Sequence, residues 1–422
     1  MPVRFLHCGD LHLGHDYYGS EERAGDFARS FSHIVDTAMS RAVSFVIIAG
    51  DLFDRRNINA QTLNWVMPEL ERLRAAAIPV VAIEGNHDKA FFQDKMSWLE
   101  WLAQRGYLFL LKPSHDEGRM TLPLWDETLR RGACLDLPEA RIYGLGYLGA
   151  LTRHRLAECA ELLPPAGDRL TILVLHAIVG RDALGDAAGL APVQVEPLRD
   201  RVHYLALGHR HGRLDDGQWV YSPGAPEACD IAESDQEKGF YLVTAEGATL
   251  TAEFIPSVRR PSQRVAVDVS GAADAAAAVA MVRAAATRCA PAPQSMLQVA
   301  ITGIVDWSPA GLDLPALREC LVADHDLLLA EVVNEINVTR GGEPGQLALA
   351  RDKIERQVIE QLVRGHAPFA ADTEAAANFV LQVRQLVAEG ATGRDIAEAA
   401  LALADALAGA APGADGGEGG SR

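Results

Sequence analysis

The chain has 422 residues, 49% of them apolar, and 39 Lys and Arg against 57 Asp and Glu give a formal charge of −18. That length suits two or three domains, and the acidic excess excludes a protein that simply coats nucleic acid, because phosphate binding needs basic surface. No run approaches the roughly 18 apolar residues that span a bilayer, and "MPVRFLHCGD" lacks the plan of a secretory leader, so a cytoplasmic protein without membrane contact is expected.

From residue 3 to about 255, short β-like runs alternate with helical stretches. Residues 3–10 read as a strand, 21–43 as a helix, 44–51 as a strand, 62–76 as a helix and 78–86 as a third strand. Further β-like runs lie at 140–147, 170–177, 202–209, 218–224 and 238–245. Apolar strands among helices imply strands buried on both faces, an α/β layered domain. Residues 258–340 read as a small α/β unit of β-α-β-α-β order, with strands at 263–270, 297–303 and 327–338. "GGEPG" at 341–345 reads as a linker, 341–408 as a helical region, and the Gly-rich 409–422 as a disordered tail. Six scattered cysteines without a C-x-x-C pair read as free thiols, Cys8 among them as a small buried strand residue.

The strand ends carry the chemistry. Asp10 and His12 stand in "GDLH", Asp51 and Asp54 in "GDLFD", Asn86, His87 and Asp88 in "GNHD", His176 in "VLHA", and His209 and His211 in "GHRH". Asp10, Asp51, Asn86, His176 and His209 fall at or just past a strand's carboxyl end, where open α/β sheets bind ligands. Imidazole mixed with carboxylate and amide suits borderline divalent metals such as manganese, iron or zinc better than an all-oxygen site does. Two cations about 3.5–4 Å apart clamp the attacking and leaving oxygens of a displacement at phosphorus. Such a pair needs a bridging carboxylate, for which Asp51 is the natural candidate.

In this order and spacing the residues resemble the calcineurin-like metallophosphoesterase superfamily, a layered β-sandwich flanked by helices. The resemblance implies one metal held by Asp10, His12, Asp51 and His211, and a second by Asp51, Asn86, His176 and His209. It makes His87 the imidazole that protonates the leaving oxygen and Asp88 the carboxylate that orients it. "FLHCGDLHLGH", "GDLFD" and the stretch "VYSPGAPEACDIAESDQEKGFYLV" at 220–243 further resemble the SbcD-type exonuclease subunits of DNA double-strand-break repair, in particular the YhaO-like bacterial members. That branch implies 1–257 as the nuclease domain and 258–340 as a small capping domain that helps present DNA. It further implies 341–408 as a helical partner-binding region, with two manganese ions, DNA as substrate and an SbcC-type ATPase as partner. It also implies 3′ to 5′ exonuclease and single-strand endonuclease action. Ser222, Pro223, Gly224 and Ala225 depart from the family's tyrosine-proline-glycine-serine, and Asp54 stands where some relatives carry histidine.

Bland alternatives accompany several of these residues. Asp54 fits equally a helix N-cap or loop charge, His15 reads as a surface histidine, and His7 as a packing residue. Trp65, Met67, Leu70, Leu73, Trp98, Trp101 and Leu102 form either core or a homodimer face. The rivals for the whole chain are a phosphodiesterase or phosphatase acting on a small substrate, and a scaffold whose metals only hold an assembly together.

Overall fold

The computed structural model describes residues 2–338, apart from 17, 18, 92, 181, 182, 247 and 248, together with Arg356, Ile359 and 378–383. Met1–Val338 and Thr339–Arg422 are two compact units. The expected linker, most of the expected helical region and the expected tail lie outside the described residues, of which Arg356, Ile359 and 378–383 are helical.

The first sheet begins with β1 (Val3–Cys8), β2 (Phe45–Ile48), β3 (Val80–Ala82) and β4 (Phe109–Leu110), all parallel. Between them run α1 (Glu21–Ser40), α2 (Ala60–Ala75) and α3 (Trp98–Gln104). Each helix starts at a side-chain cap: Ser20 accepts from the Arg23 N–H, Asn59 from Thr62, and Ser97 shares a reciprocal box with Glu100. Asn59, not Asp54, therefore caps the helix that follows "GDLFD".

A second sheet has the order β9-β10-β8-β7-β6-β5, made of β5 (Cys134–Asp136), β6 (Ala140–Gly146), β7 (Leu170–His176), β8 (Tyr204–Gly208), β9 (Leu214–Asp215) and β10 (Val220–Ser222). The chain then returns through β11 (Gly239–Glu246) and β12 (Thr249–Pro256), which pair antiparallel and complete the first sheet as β12-β11-β1-β2-β3-β4.

Side-chain alternation builds the layers, since successive strand residues face opposite ways. Phe5, Phe45, Ile47 and Val81 of the first sheet meet Ile142, Ile172, Val174, Tyr204 and Ala206 of the second in one buried cluster. Leu6, Cys8, Val46 and Ile48 face the other way, onto Phe27, Phe31 and Ile34 of α1 and Val66, Leu70 and Leu73 of α2. On the far side, α4 (Thr152–Leu162) packs Leu156, Cys159 and Ala160 against Leu173, Leu175 and Leu205. The architecture is thus the expected α/β sandwich flanked by helices. Leu70, Leu73 and Leu102 belong to its core, while Met67, Trp98 and Trp101 are half-buried against it.

Residues 262–334 form a separate three-stranded parallel sheet of β13 (Ser262–Asp268), β14 (Met296–Thr302) and β15 (Leu329–Asn334). Helices α5 (Ala275–Cys289) and α6 (Leu314–His325) cover it with Val282, Ala286, Leu317 and Leu321. The short strands β4, β5 and β9, the edge strand β12 and helix α4 were not anticipated. β12 alternates half-buried and exposed residues along the sheet's rim and lacks the apolar run that marks the inner strands.

Candidate metal centre

Strands β1, β2 and β3 run parallel, as do β7 and β8, and their carboxyl ends deliver Asp10, Asp51, Asn86, His176 and His209 to one rim. The turns beyond the strands are sharp. Asp10, His12, Asp51 and His209 all adopt positive φ, at 51°, 42°, 52° and 77°. L-residues rarely hold this region, and such strain concentrates where a site over-determines the backbone. Gly85 leaves room for the same geometry: a Cβ there would collide with the Asp51 carboxylate and sit 2.5 Å from its backbone nitrogen.

All nine predicted residues are brought together. Ligand atoms of Asp10, His12 and Asp51 lie within 4.8 Å of one another, and so do those of Asp51, His176 and His209. Asp51 belongs to both groups. Asn86 joins the second, its Oδ1 3.2 Å from His176 Nε2, and His211 joins the first, its Nε2 3.2 Å from His12 Nε2. The backbone N–H of His209 donates to Asp10 Oδ1 at 2.9 Å, and that of His87 to Asp51 Oδ1 at 2.8 Å.

The protonation pattern matters more than proximity. His176 Nδ1 lies 2.7 Å from the Ala49 carbonyl, an acceptor only, so this nitrogen carries the proton. The Nε2 of the neutral ring then points a lone pair at two oxygens, Asp51 Oδ2 and Asn86 Oδ1, both 3.2 Å away. Likewise His211 Nδ1 donates to Glu233 Oε1 at 2.8 Å, leaving its Nε2 facing that of His12. At the His176 end the converging lone pairs need a cation among them, whereas His12 Nε2 can donate to His211 Nε2 across their 3.2 Å gap. In the protein alone a proton serves: burial opposes charge on His176, but the adjacent Asp51 carboxylate lifts it to about 9. Asp10 Oδ2 is buried and has no hydrogen-bond partner. These residues fit a pair of divalent cations.

His87 and Asp88 behave differently from the rest. His87 Nδ1 donates to the Asp54 carbonyl at 2.5 Å, and its ring stands edge-on to His12 with centroids 4.9 Å apart. Asp88, expected to orient His87, does not do so. Its carboxylate accepts the N–H groups of Leu52, Phe53 and Gly85 at 3.3, 3.1 and 3.0 Å, tying the "GDLFD" turn to the "GNHD" turn. Burial and the Asp51 charge push Asp88 up to about 7, against the pull of those N–H groups. Adjacency in sequence misled here, because the turn after His87 swings the next side chain back toward the backbone.

Several supporting residues were missed or undervalued. Asp54 Oδ1 accepts from His15 Nδ1 at 2.8 Å and lies 3.4 Å from His12 Nδ1. Burial alone would raise its pKa, yet the two imidazoles hold it well below the usual carboxylate range. His15 is thus a bonded site neighbour, its Nε2 donating to the Cys229 carbonyl at 3.0 Å. Glu233 holds His211 and takes Lys238 Nζ at 2.7 Å. Asp186 lies 3.2 Å from His209 Nε2, and Tyr147 packs its ring beside His176 and His209. Tyr147 follows β6 directly, so the strand-end rule would have found it. Asp186 sits in a loop and Glu233 ends the short 3-10 turn Ile231–Glu233, and no local pattern marks either.

The profile of the calcineurin-like phosphoesterases matches residues 3–213, half of the chain. The chain belongs to the calcineurin-like phosphoesterase family. Among relatives of this phosphoesterase, a DNA double-strand break repair protein Mre11 from Archaeoglobus fulgidus is 31% identical over 245 residues, which are 56% of this chain and 52% of the relative. The Mre11 of Sulfurisphaera tokodaii is 30% identical over 63% of each chain. An uncharacterized metallophosphoesterase, YhaO of Bacillus subtilis, is 28% identical over 66% of each. The alignments thus span between about half and just under two thirds of these relatives' lengths. Among the described residues, no helix is long and apolar enough to cross a membrane.

Proposed function

We propose that this phosphoesterase is a manganese-dependent DNA nuclease subunit of double-strand-break repair, hydrolysing phosphodiester bonds with two cations at the rim. One observation carries the reading: Asp51 belongs to two donor groups at once, while His87, bonded to Asp51 through its backbone, belongs to neither and groups instead with His12 and Asp54. Asp10, His12, Asp51 and His211 would hold one cation, and Asp51, Asn86, His176 and His209 the other. Such a pair supplies Lewis acidity to the phosphoryl oxygens and acidifies water.

The chain's own groups do the rest. Asp51 sets the spacing between the two halves. The Asp54 carbonyl fixes His87 Nδ1–H, which leaves the opposite edge of the ring to carry a proton to the leaving oxygen. Asp88 is a positioning residue that locks two turns together. Residues 1–257 would form the nuclease domain and 258–340 a cap that helps present DNA. An SbcC-type ATPase would be the partner, in the cytoplasm, and the half-buried Met67, Trp98 and Trp101 would serve a homodimer. Similarity to the Mre11 proteins supports DNA as substrate.

The net charge of −18 favours the second reading, a phosphodiesterase for a small substrate. One assay separates them: digestion of end-labelled single- and double-stranded DNA with manganese, by wild type and His87→Ala. Digestion with 3′ to 5′ polarity that drops about 10²–10⁴-fold in the variant supports the nuclease. Cleavage of bis(p-nitrophenyl) phosphate with DNA left intact transfers the protein to the second reading. Turnover unchanged in His87→Ala leaves only a metal-bound scaffold.

A further inference from the structure

Among the described side chains that the two donor sets leave unused, Asp54, His87, Asp186 and Cys229 approach the candidate ligands, and Cys229 brings the one sulfur in the candidate groups. We propose that Cys229 is a sulfur ligand at the His12–His211 end of the centre, selecting a thiophilic cation such as zinc, iron(II) or cobalt(II) for that position. The inference rests on the metal-centre reading above and deepens it.

The Cys229 Sγ and one imidazole nitrogen from each of His12 and His211 lie within 4.8 Å of one another. The thiol already hydrogen-bonds the His211 imidazole, and an ion taking that place would sit about 2.0 Å from nitrogen and about 2.3 Å from sulfur. The residue is held by the site on both backbone groups. Its N–H donates to Glu233 Oε2 at 3.2 Å, and its carbonyl accepts from His15 Nε2 at 3.0 Å. Glu233 is also the acceptor that orients His211, and His15 bonds the Asp54 that faces His12. The groups that place the two imidazoles therefore place the thiol as well.

A second observation points to a ligand at this end. Asp10, which groups with His12, is fully buried with one carboxylate oxygen lacking any partner. The other cysteines differ: Cys8 and Cys159 pack in apolar core, and Cys320 is exposed. Sulfur is a soft donor that favours zinc or iron over manganese, whereas carboxylate and amide oxygens suit manganese. The pair would then be mixed, with a soft ion at the Cys229 end and a harder one between Asp51 and Asn86. Ligation breaks the S–H bond, forms a sulfur–metal bond and releases one proton to solvent, with no redox change.

Cobalt(II) added anaerobically to the chelator-stripped full chain tests this by absorption. The expected spectrum has visible d–d bands and a near-ultraviolet thiolate-to-cobalt charge-transfer band. Cys229→Ser should keep the first and lose the second, with about tenfold or more loss of zinc affinity in competition titrations and little change for manganese. Cys320→Ser should keep both bands, and far-ultraviolet circular dichroism checks each variant's fold. Visible bands without charge transfer in the wild type, or charge transfer that survives Cys229→Ser, overturn the sulfur ligand while the metal centre stands. No cobalt bands at all would sink the centre and the proposal together.

Discussion

At the candidate centre, Asp54 shows how a residue acts through its neighbours. Its carboxylate faces His12 and His15, and its carbonyl aims His87. Carboxylates that orient metal-bound imidazoles typically carry a 10–100-fold effect on affinity. Asp54→Ala is therefore expected to weaken divalent-cation binding at the His12 end by about that factor, read by isothermal titration with zinc and with manganese. His15→Ala, one step further out, should cost less. Equal losses in the two would place the effect in loop packing and not in the His12 contact. The candidate donors Asp10, Asp51, Asn86, His209 and His211 were legible because each combines a coordinating side chain with a glycine-marked strand end, and His176 because it closes an apolar strand. The orienters were not, because their contacts use backbone atoms, as in Asp54 to His87, or cross between loops, as in Glu233 to His211. Asp88 was legible as important and misread in role, since nothing local shows which backbone N–H groups a turn will present to it.

Elements were legible wherever burial wrote an apolar run, and their ends ran long wherever the chain leaves the sheet through a left-handed residue. The strand read as 44–51 stops at Ile48, because Gly50 and Asp51 hold φ of 92° and 52°. β1 carries a polar exception inside such a run. His7 faces the layer between the sheets, bonded to the Tyr204 hydroxyl at 2.9 Å and the Leu207 carbonyl at 3.1 Å. Burial pushes its pKa down to about 3, from 6.5. As pH falls below 6.5 the unfolded chain takes up the proton and the folded one does not. The stability His7 leaves intact above pH 6.5 is thus lost progressively toward pH 3, on the order of a few kcal/mol in all. His7→Gln should start less stable at pH 7.5 yet lose less than wild type on going to pH 4.5. Parallel pH profiles in urea unfolding would contradict this. A second network ties α1 to the segment leading into β13. Asp26 accepts from Arg23 at 2.6 Å and from Arg260 at 2.7 and 2.9 Å, and Arg23 reaches the Ala228 carbonyl at 2.8 Å. Arg23 and Asp26 are each 1% exposed, so removing Asp26 leaves Arg23 only the buried Glu227 carboxylate, 3.4 Å away, as a charged partner. Asp26→Asn is expected to cost roughly 3–5 kcal/mol by urea unfolding, and a cost below 1 kcal/mol would mean that Glu227 alone suffices for Arg23.

At the scale of the two sheets, the left-handed turns at Asp10, His12, Asp51 and His209, the buried Asp10 and Asp51 and the facing imidazoles gather along the seam where the sheets end together. That concentration has a thermodynamic consequence. Buried Asp10 and Asp51 and the converging nitrogens of His12, His176 and His211 are arranged for charge that the chain does not itself carry. Ions that bind only the folded state stabilise it by mass action, by about 2.7 kcal/mol at a free concentration one hundred times Kd. For a unit this large, that gain should raise Tm by roughly 5 °C. Manganese-loaded protein is thus expected to melt several degrees above protein held in chelator, the gap growing with the logarithm of manganese concentration. Asp51→Asn should close most of the gap, because Asp51 is the member common to both donor groups, whereas Asp186→Asn, a neighbour of His209 alone, should leave most of it. Scanning calorimetry across a manganese series reads both. If Tm ignored manganese in the wild type, the facing lone pairs would have to be relieved by protons alone. His176, lifted to about 9, would then be a permanently charged partner of Asp51 and not a donor to any ion.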